Sequence, residues 1–447
     1  MRAQDLTEAI RFFDPRKPLT GAELDYWFIE RQDTPRHRLE VFLRTQLEPV
    51  KLLFIGPRGS GKTTELNKLA EALTDRFHAI GVSALDVTGR TNLNYIDLML
   101  AVSTQVTQRA IAGKLLPRPL SKPLRDGLED LQTWWNRLVA GLEFRPADAE
   151  ASVQVRLSFL MAQVEAGVKQ SAITRQQLNE QLDLRMPELI QRLDWVIEQV
   201  ERRGERRLLL VIEGLDKVDL EAAQSIFRDR AATLIAPRTA AIFTFPNALR
   251  FSDDFDTIRR NFAACEVFPN FALRHRDGRP DPDGPPALRR LVLARLEDRL
   301  IDQDALDLLV QASGGQLTSL VTLVQSTAVI AQARRRPPER LTSSDAELAV
   351  NLLRRDLVGP LSRQDYATLR ARHADRRLTN EPQERRLLYN GALLEYGNGE
   401  PWCDVHPVLW HLLELYEDEE SDSRGGSETR PHEPGNSASG SEREPAR

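Results

Sequence analysis

Cysteine is nearly missing from this 447-residue chain: Cys265 and Cys403 are the only two, far apart and without the spacing of a metal site. Their scarcity excludes a disulfide-stapled secreted scaffold and predicts free thiols in a reducing compartment. Long apolar runs are missing as well, and none approaches the roughly 18 residues needed to span a bilayer. The start, MRAQDLTEAIRFFDPRK, is charged and amphipathic and lacks the apolar stretch of a signal peptide, so a cytoplasmic protein with no membrane partner is expected. There is no excess of positive charge. Lys plus Arg is 61 against 66 for Asp plus Glu, giving a net charge of -5; nucleic-acid binding finds no support in overall charge, although a local basic face stays open. Lysine itself is rare, eight of those 61 basic residues, so a lysine that falls inside a motif carries weight. The remaining composition, 41% hydrophobic and 28% charged, is that of a soluble globular chain with length for two to four domains.

Residues 1–50 read as a helical segment, with Thr20 capping a helix through AELDYWFIERQ and Pro35 opening RHRLEVFLRTQL. KLLFIG (51–56), a glycine loop and KTTELNKLAEALTDRF (62–77) then read as strand, loop and helix. Further strands are predicted in FHAIGVSALDV (77–87), RRLLLVIEG, TAAIFTFPN (239–247) and ACEVFPNF (264–271), and a helix in NYIDLMLAVSTQVTQRAIAG (94–113). Apolar strands separated by helices argue for a mostly parallel sheet covered on both faces. From about 115 to 205 helical periodicity interrupts this pattern, an insertion within a core spanning 51–273. Its segment ASVQVRLSFLMAQVEAG (151–167) fits either a helix or a hairpin.

The polar loop RHRDGRPDPDGPPA (274–287) marks a boundary, after which 274–335 reads as a helical lid. Short helices followed by two apolar stretches around GNG suggest a winged helix-turn-helix over 336–416. The acidic remainder, 417–447, is too poor in apolar residues to order itself and reads as a disordered tail.

GPRGSGKT, Gly56 to Thr63, satisfies G-x-x-x-x-G-K-[ST] between a predicted strand and a predicted helix. Gly56, Pro57, Arg58, Gly59, Ser60, Gly61, Lys62, Thr63 and Thr64 are therefore candidate nucleotide-binding residues. Glycines let backbone N–H groups wrap a phosphate at a helix N-terminus. Lys62 would neutralise the β- and γ-phosphates of ATP and the Thr63 hydroxyl would ligate Mg²⁺.

Downstream, LLLVIEGLDKV (208–218) ends an apolar strand in two acids. Glu213 is the candidate metal-holding carboxylate, against the alternative of an ordinary surface acid at a strand end. Thr244, with Asn247 second, is a candidate sensor of the γ-phosphate or of the attacking water, unless both only cap their strand. Arg259 and Arg260 fit an arginine finger or a solvated charge pair, the latter being common on helices.

GPRGSGKTTELNKLA, LLLVIEGLDKV, TFPNALR and ASGGQLTSLVTLVQSTA resemble AAA+ and STAND-type P-loop ATPases, in the branch that includes origin-recognition ATPases and ATPases of bacterial conflict systems. The resemblance covers about 50–415. It implies an α/β ATPase core, a helical lid and a winged helix, with Gly56, Gly59, Gly61, Lys62 and Thr63 on phosphate and Mg²⁺ and Glu213 at the metal. Two positions depart from the pattern. Gly214 stands where the resemblance places a catalytic glutamate, and Gly314 and Gly315 are followed by Gln316, Leu317 and Thr318 where it places a lid arginine. Asp216 is the acid left to orient water.

The resulting expectation is a nucleotide-dependent switch or slow ATPase coupled to a homo-oligomer or an effector protein, in the setting of a bacterial defence system. An initiator-like DNA-binding ATPase is the alternative, through arginines 354, 355, 363, 370, 372, 376 and 377. On the hairpin Glu395, Glu400 and Asp404 would repel phosphate, which favours a protein contact there. A nucleotide-bound scaffold that does not hydrolyse is the third reading. In the insertion, Trp134, Trp135 and Trp195 are either core or a partner-binding surface.

Overall fold

The computed structural model describes residues 1–414 apart from 32–33, 89–92, 114, 118, 146, 149, 203–205, 337 and 398; the tail at 417–447 lies outside the described residues. Five parallel strands form the central sheet: β1 (Lys51–Gly56), β2 (Phe77–Ser83), β3 (Arg207–Glu213), β4 (Ala240–Pro246) and β5 (Ala264–Val267), in the order β2-β3-β4-β1-β5. Burial follows position in that order. The inner strands β1, β3 and β4 are apolar almost throughout and buried on both faces, whereas the edge strand β2 alternates buried with half-buried or exposed residues.

Alternation along each strand sends side chains into two layers. Leu52, Phe54, Leu209, Val211 and Ile242 pack with Leu39, Leu43, Leu66 and Leu69 on one face. Leu53, Ile55, Leu210, Ile212 and Phe243 join the helix Tyr95–Ala112 and the inserted helices on the other.

The regular elements of the insertion are all helices among its described residues: Lys122–Leu138, Val153–Gln170 and Ala172–Glu201. The ambiguous 151–167 segment is thus a helix, capped by Ser152. Asp97, buried at the start of Tyr95–Ala112, ties the longest of these helices down through the Arg175 guanidinium (2.9 Å) and the Asn179 amide (3.0 Å). Trp134 and Trp135 are core residues; their rings meet edge to face at 5.2 Å and the Trp134 indole donates to Glu188. Trp195 packs against the same core, over Gly127.

At the N-terminus, Pro35–Thr45 is a helix capped by Thr34 with Pro35 in its first turn. The preceding helix is shorter than its periodicity predicts, Ala22–Trp27, and Gly21 rather than Thr20 holds its cap position. This N-terminal stretch joins two cores. Ala3, Leu6, Ala9 and Phe13 pack with the helices Gly284–Arg295, Gln303–Ala312 and Leu317–Gln332, while Leu39 and Leu43 pack on the sheet.

Beyond the lid come three helices, Ser343–Val358, Arg363–Asp375 and Pro382–Asn390, and an antiparallel hairpin of β6 (Leu393–Tyr396) and β7 (Trp402–Val405), the chain order of a winged helix. Leu341, Ala346, Tyr366, Leu387, Leu393 and Val405 share one hydrophobic cluster with the lid helices.

Candidate functional site

β1 runs out of the core at Gly56 and the helix Lys62–Ala72 begins six residues later. The turn between them depends on its glycines. Gly59 and Gly61 adopt φ of 79° and 99°, which L side chains resist, and a Cβ on Gly56 would lie 2.4 Å from the Phe268 carbonyl oxygen. Ser60 is fully buried and its hydroxyl has no partner, so the loop contains a polar group that packing leaves unsatisfied. Lys62 is buried and donates to the Gly56 and Pro57 carbonyls at 2.8 and 2.7 Å.

Lys62 also meets Asp216 at 2.8 Å, both side chains almost fully buried. The route by which Asp216 gets there explains the unexpected glycine. Gly214 leaves β3 at φ 84° and opens a one-turn 3-10 helix, Leu215–Lys217, which turns Asp216 inward. A non-glycine residue at 214 would be strained and would crowd Leu85, 3.0 Å from an added Cβ. Burial pushes the Asp216 carboxyl up, but Lys62, Lys217 and a hydrogen bond from Thr244 together hold it below the usual carboxylate range.

Glu213 has the opposite balance: burial raises it, and the hydrogen bond from the Thr63 hydroxyl and the neighbouring lysines only partly oppose that. The structure therefore brings Lys62, Thr63, Glu213, Asp216 and Thr244 into one cluster. Thr64 lies beside it, where its hydroxyl accepts the Leu19 N–H at 3.3 Å.

Other candidates go elsewhere. Asn247 donates to the Glu395 carboxylate of the hairpin. Arg259 and Arg260 are exposed, and Arg259 pairs with Asp256 three residues earlier at 3.2 Å. Arg58 points out of the loop toward Tyr389, with its guanidinium 5.0 Å from the ring centre.

The hairpin acids need a correction. Glu395 and Asp404 do not face solvent; both are buried, Glu395 against Asn247 and Arg250 and Asp404 against His373 and Arg376. Only Glu400 of the three is exposed, so repulsion of a phosphate backbone cannot be argued from them. Several arginines offered for DNA are already engaged as well: Arg354 with the Val408 carbonyl, Arg372 with Asp375 and Glu384, Arg376 with Asp404.

Four further residues hold the loop or its helix from outside the phosphate-loop motif, and two of them, Arg31 and Arg36, belong to no motif. Arg31 is stacked between Phe268 and Phe271 and donates to the Ser60 and Pro269 carbonyls at 2.8 and 2.7 Å, and burial lowers its pKa to about 9. Buried Arg36 lies 3.2 Å from Glu65 of the loop's helix. From the lid, the Thr318 N–H donates to the Gly59 carbonyl (3.0 Å) and the Gln316 amide to the Arg58 carbonyl (2.8 Å). A buried arginine in a helical segment without a motif gives no sequence signal; the paired glycines before Gln316 do give one. Gly315, at φ 81°, leaves no room for a Cβ against the Phe271 carbonyl.

Sheet order, glycine loop after β1 and acid-bearing turn after β3 make this an α/β P-loop NTPase fold. No family model matches the chain, and no curated protein matches it in sequence. Solved structures that match include a Walker-type ATPase of Pyrococcus abyssi, at 13% identity over 90% of this chain and 99% of that one, TM-score 0.44. Cdc6p from Pyrobaculum aerophilum matches at 12% identity over 92% and 98%, TM-score 0.42. The ORC1 protein of Aeropyrum pernix, in complex with DNA, matches at 13% over 89% and 95%, TM-score 0.40. No described helix is long and apolar enough to cross a membrane.

Proposed function

We propose that this chain binds ATP with Mg²⁺ in the Gly56–Thr64 loop and acts as a slow ATPase or nucleotide-dependent switch in the cytoplasm. The observation that carries the reading is the buried contact of Lys62 with Asp216, made possible by the left-handed Gly214. The residues present fit the ligands: an orphaned Ser60 hydroxyl, a cradle that Cβ atoms would fill, and a hydroxyl beside a carboxylate as hard oxygen donors for Mg²⁺. Thr63 and Glu213 would hold the metal, and bound Mg²⁺ would neutralise charge on the β- and γ-phosphates. Lys62 exchanges its carbonyl and Asp216 partners for phosphate oxygens. Asp216, kept ionised and fixed by Thr244, is then the acid that orients water and accepts its proton.

Lid and C-terminal module touch the same loop, which supports passing the nucleotide state to a second copy or to an effector protein. The bacterial-defence setting rests on the resemblance in sequence alone. DNA binding by the C-terminal module is the less favoured alternative, because Arg354, Arg372 and Arg376 are spent on internal partners. A non-hydrolysing scaffold differs only in lacking turnover.

The first test is Lys62→Ala in the full chain, with ATP affinity measured by calorimetry. Removing a buried, hydrogen-bonded cation from the phosphates is expected to weaken binding at least about 100-fold. Unchanged affinity overturns the reading, and the nucleotide found by mass spectrometry in purified protein separates hydrolysis (ADP) from the scaffold (ATP).

A further inference from the structure

The helix Pro382–Asn390 packs on the turn Asn247–Phe251 at the end of β4 and delivers one side chain, Tyr389, between two elements of the nucleotide site. Its hydroxyl lies 3.0 Å from the carbonyl oxygens of both Lys217 and Val218, so its single hydrogen is shared by the two acceptors that close the Asp216 turn. One face of its ring meets the Arg58 guanidinium of the phosphate loop. The 3-10 turn is only three residues long and is pinned at its start by Gly214, whose carbonyl accepts the Lys217 N–H at 3.0 Å. Turns of this kind have poor intrinsic hydrogen bonding and depend on outside restraint.

We infer that Tyr389 is a positioning residue of the nucleotide site, by which the C-terminal module sets the Asp216 turn through its hydroxyl and the Arg58 side chain through its ring. The inference rests on the ATPase reading above and deepens it. Tyr389 touches no phosphate or metal position and acts through residues that do. The two contacts are chemically separable. Loss of the hydroxyl frees the turn that aims Asp216 and leaves the loop held, so the chemical step suffers while nucleotide binding survives. Loss of the ring releases Arg58 as well, so binding also weakens. Displacement of a catalytic group by about 1 Å is enough to cost up to 100-fold in rate.

The test uses full-length protein as wild type, Tyr389→Phe and Tyr389→Leu, with kcat and KM from phosphate release, ATP Kd from calorimetry, and thermal unfolding without nucleotide. Tyr389→Phe is expected to lower kcat about three- to tenfold, the effect of one shared neutral hydrogen bond, with Kd within about twofold of wild type. Tyr389→Leu is expected to lower kcat similarly and raise Kd about three- to tenfold, the worth of a cation–π contact. A purely structural role would lower the unfolding temperature of both variants and leave kcat and Kd per folded site unchanged, which overturns the inference. A kcat that rises in Tyr389→Phe overturns it too, since Tyr389 would then be a brake. A wild type that fails to bind ATP overturns the nucleotide reading and this one with it. A wild type that binds and hydrolyses ATP, with a Tyr389→Phe variant equal to it, removes this one alone.

Discussion

Two buried acids sit at the two ends of the path that links the phosphate loop to the C-terminal module; burial raises both carboxyls, yet their net shifts run in opposite directions. Asp216 faces Lys62, has Lys217 nearby and accepts from Thr244, and its carboxyl is held low. Glu395 faces Arg250 and accepts from Asn247, yet burial outweighs both and its carboxyl is raised. Each is a buried carboxylate against one principal cation. Asp216 has more compensation than it needs for packing alone, so its ionised form is stable and its partner Lys62 can be shared with a phosphate. Glu395 has less, and its contact binds β6 to the turn after β4 without charge to spare. One pair is built for exchange of partners and the other for attachment.

The sharpest way to break this comparison is at Asp216. Asp216→Asn keeps the size and the hydrogen bond from Thr244 but removes the carboxylate. If Asp216 orients water, phosphate release should fall about 10²- to 10⁴-fold, the usual effect of losing a general base, with ATP affinity retained or improved because Lys62 loses a competitor. Turnover within about threefold of wild type would leave Glu213 as the working acid and make the Lys62 contact a resting arrangement only.

At the other end, the effect should appear in stability. Arg250→Ala leaves the Glu395 carboxylate buried without its cation and is expected to cost about 3 kcal/mol in urea unfolding, whereas the double change Arg250→Met with Glu395→Leu should recover most of that loss. Recovery marks the pair as a removable attachment. If the double variant unfolds as easily as the single one and has lost ATP turnover, Glu395 belongs to the nucleotide site and the contrast with Asp216 disappears.

Why the site was partly legible follows from the range over which its parts act. Gly56 to Thr63 and the apolar run ending at Glu213 are local signals, and a mostly parallel sheet follows from continuous apolar strands separated by helices, whereas the strand order does not. Gly214 was visible only as a departure from a pattern; that it opens a left-handed turn, and so carries Asp216 to Lys62, depends on backbone geometry that one residue name does not specify. Glu395 and Asp404 read as exposed hairpin charges because alternation does not say which face docks on another unit. Their partners, Arg250 and His373, are 145 and 31 residues away. Tyr389 reaches Lys217 across 172 residues and Arg31 reaches Pro269 across 238, and neither belongs to a motif.

The smallest expected effect is also the most direct reading of the contrast, the slope of stability with pH. Glu395 is raised in the folded state, so above its ordinary value of 4.5 the folded protein keeps a proton that the unfolded chain has released. Its contribution to stability then falls as pH rises, until the folded carboxyl ionises. Asp216 is lowered from 3.8, so its contribution is complete above that value and is lost only as pH falls through its folded pKa. As pH rises from 4.5 toward the raised pKa of the folded carboxyl, Glu395→Gln should therefore gain stability relative to wild type, by at most about 1.4 kcal/mol per pH unit, while over the same range the difference between Asp216→Asn and wild type stays flat. A flat difference for Glu395→Gln would mean that Arg250 compensates its partner as fully as Lys62 does, and the two pairs would then differ only in what can reach them.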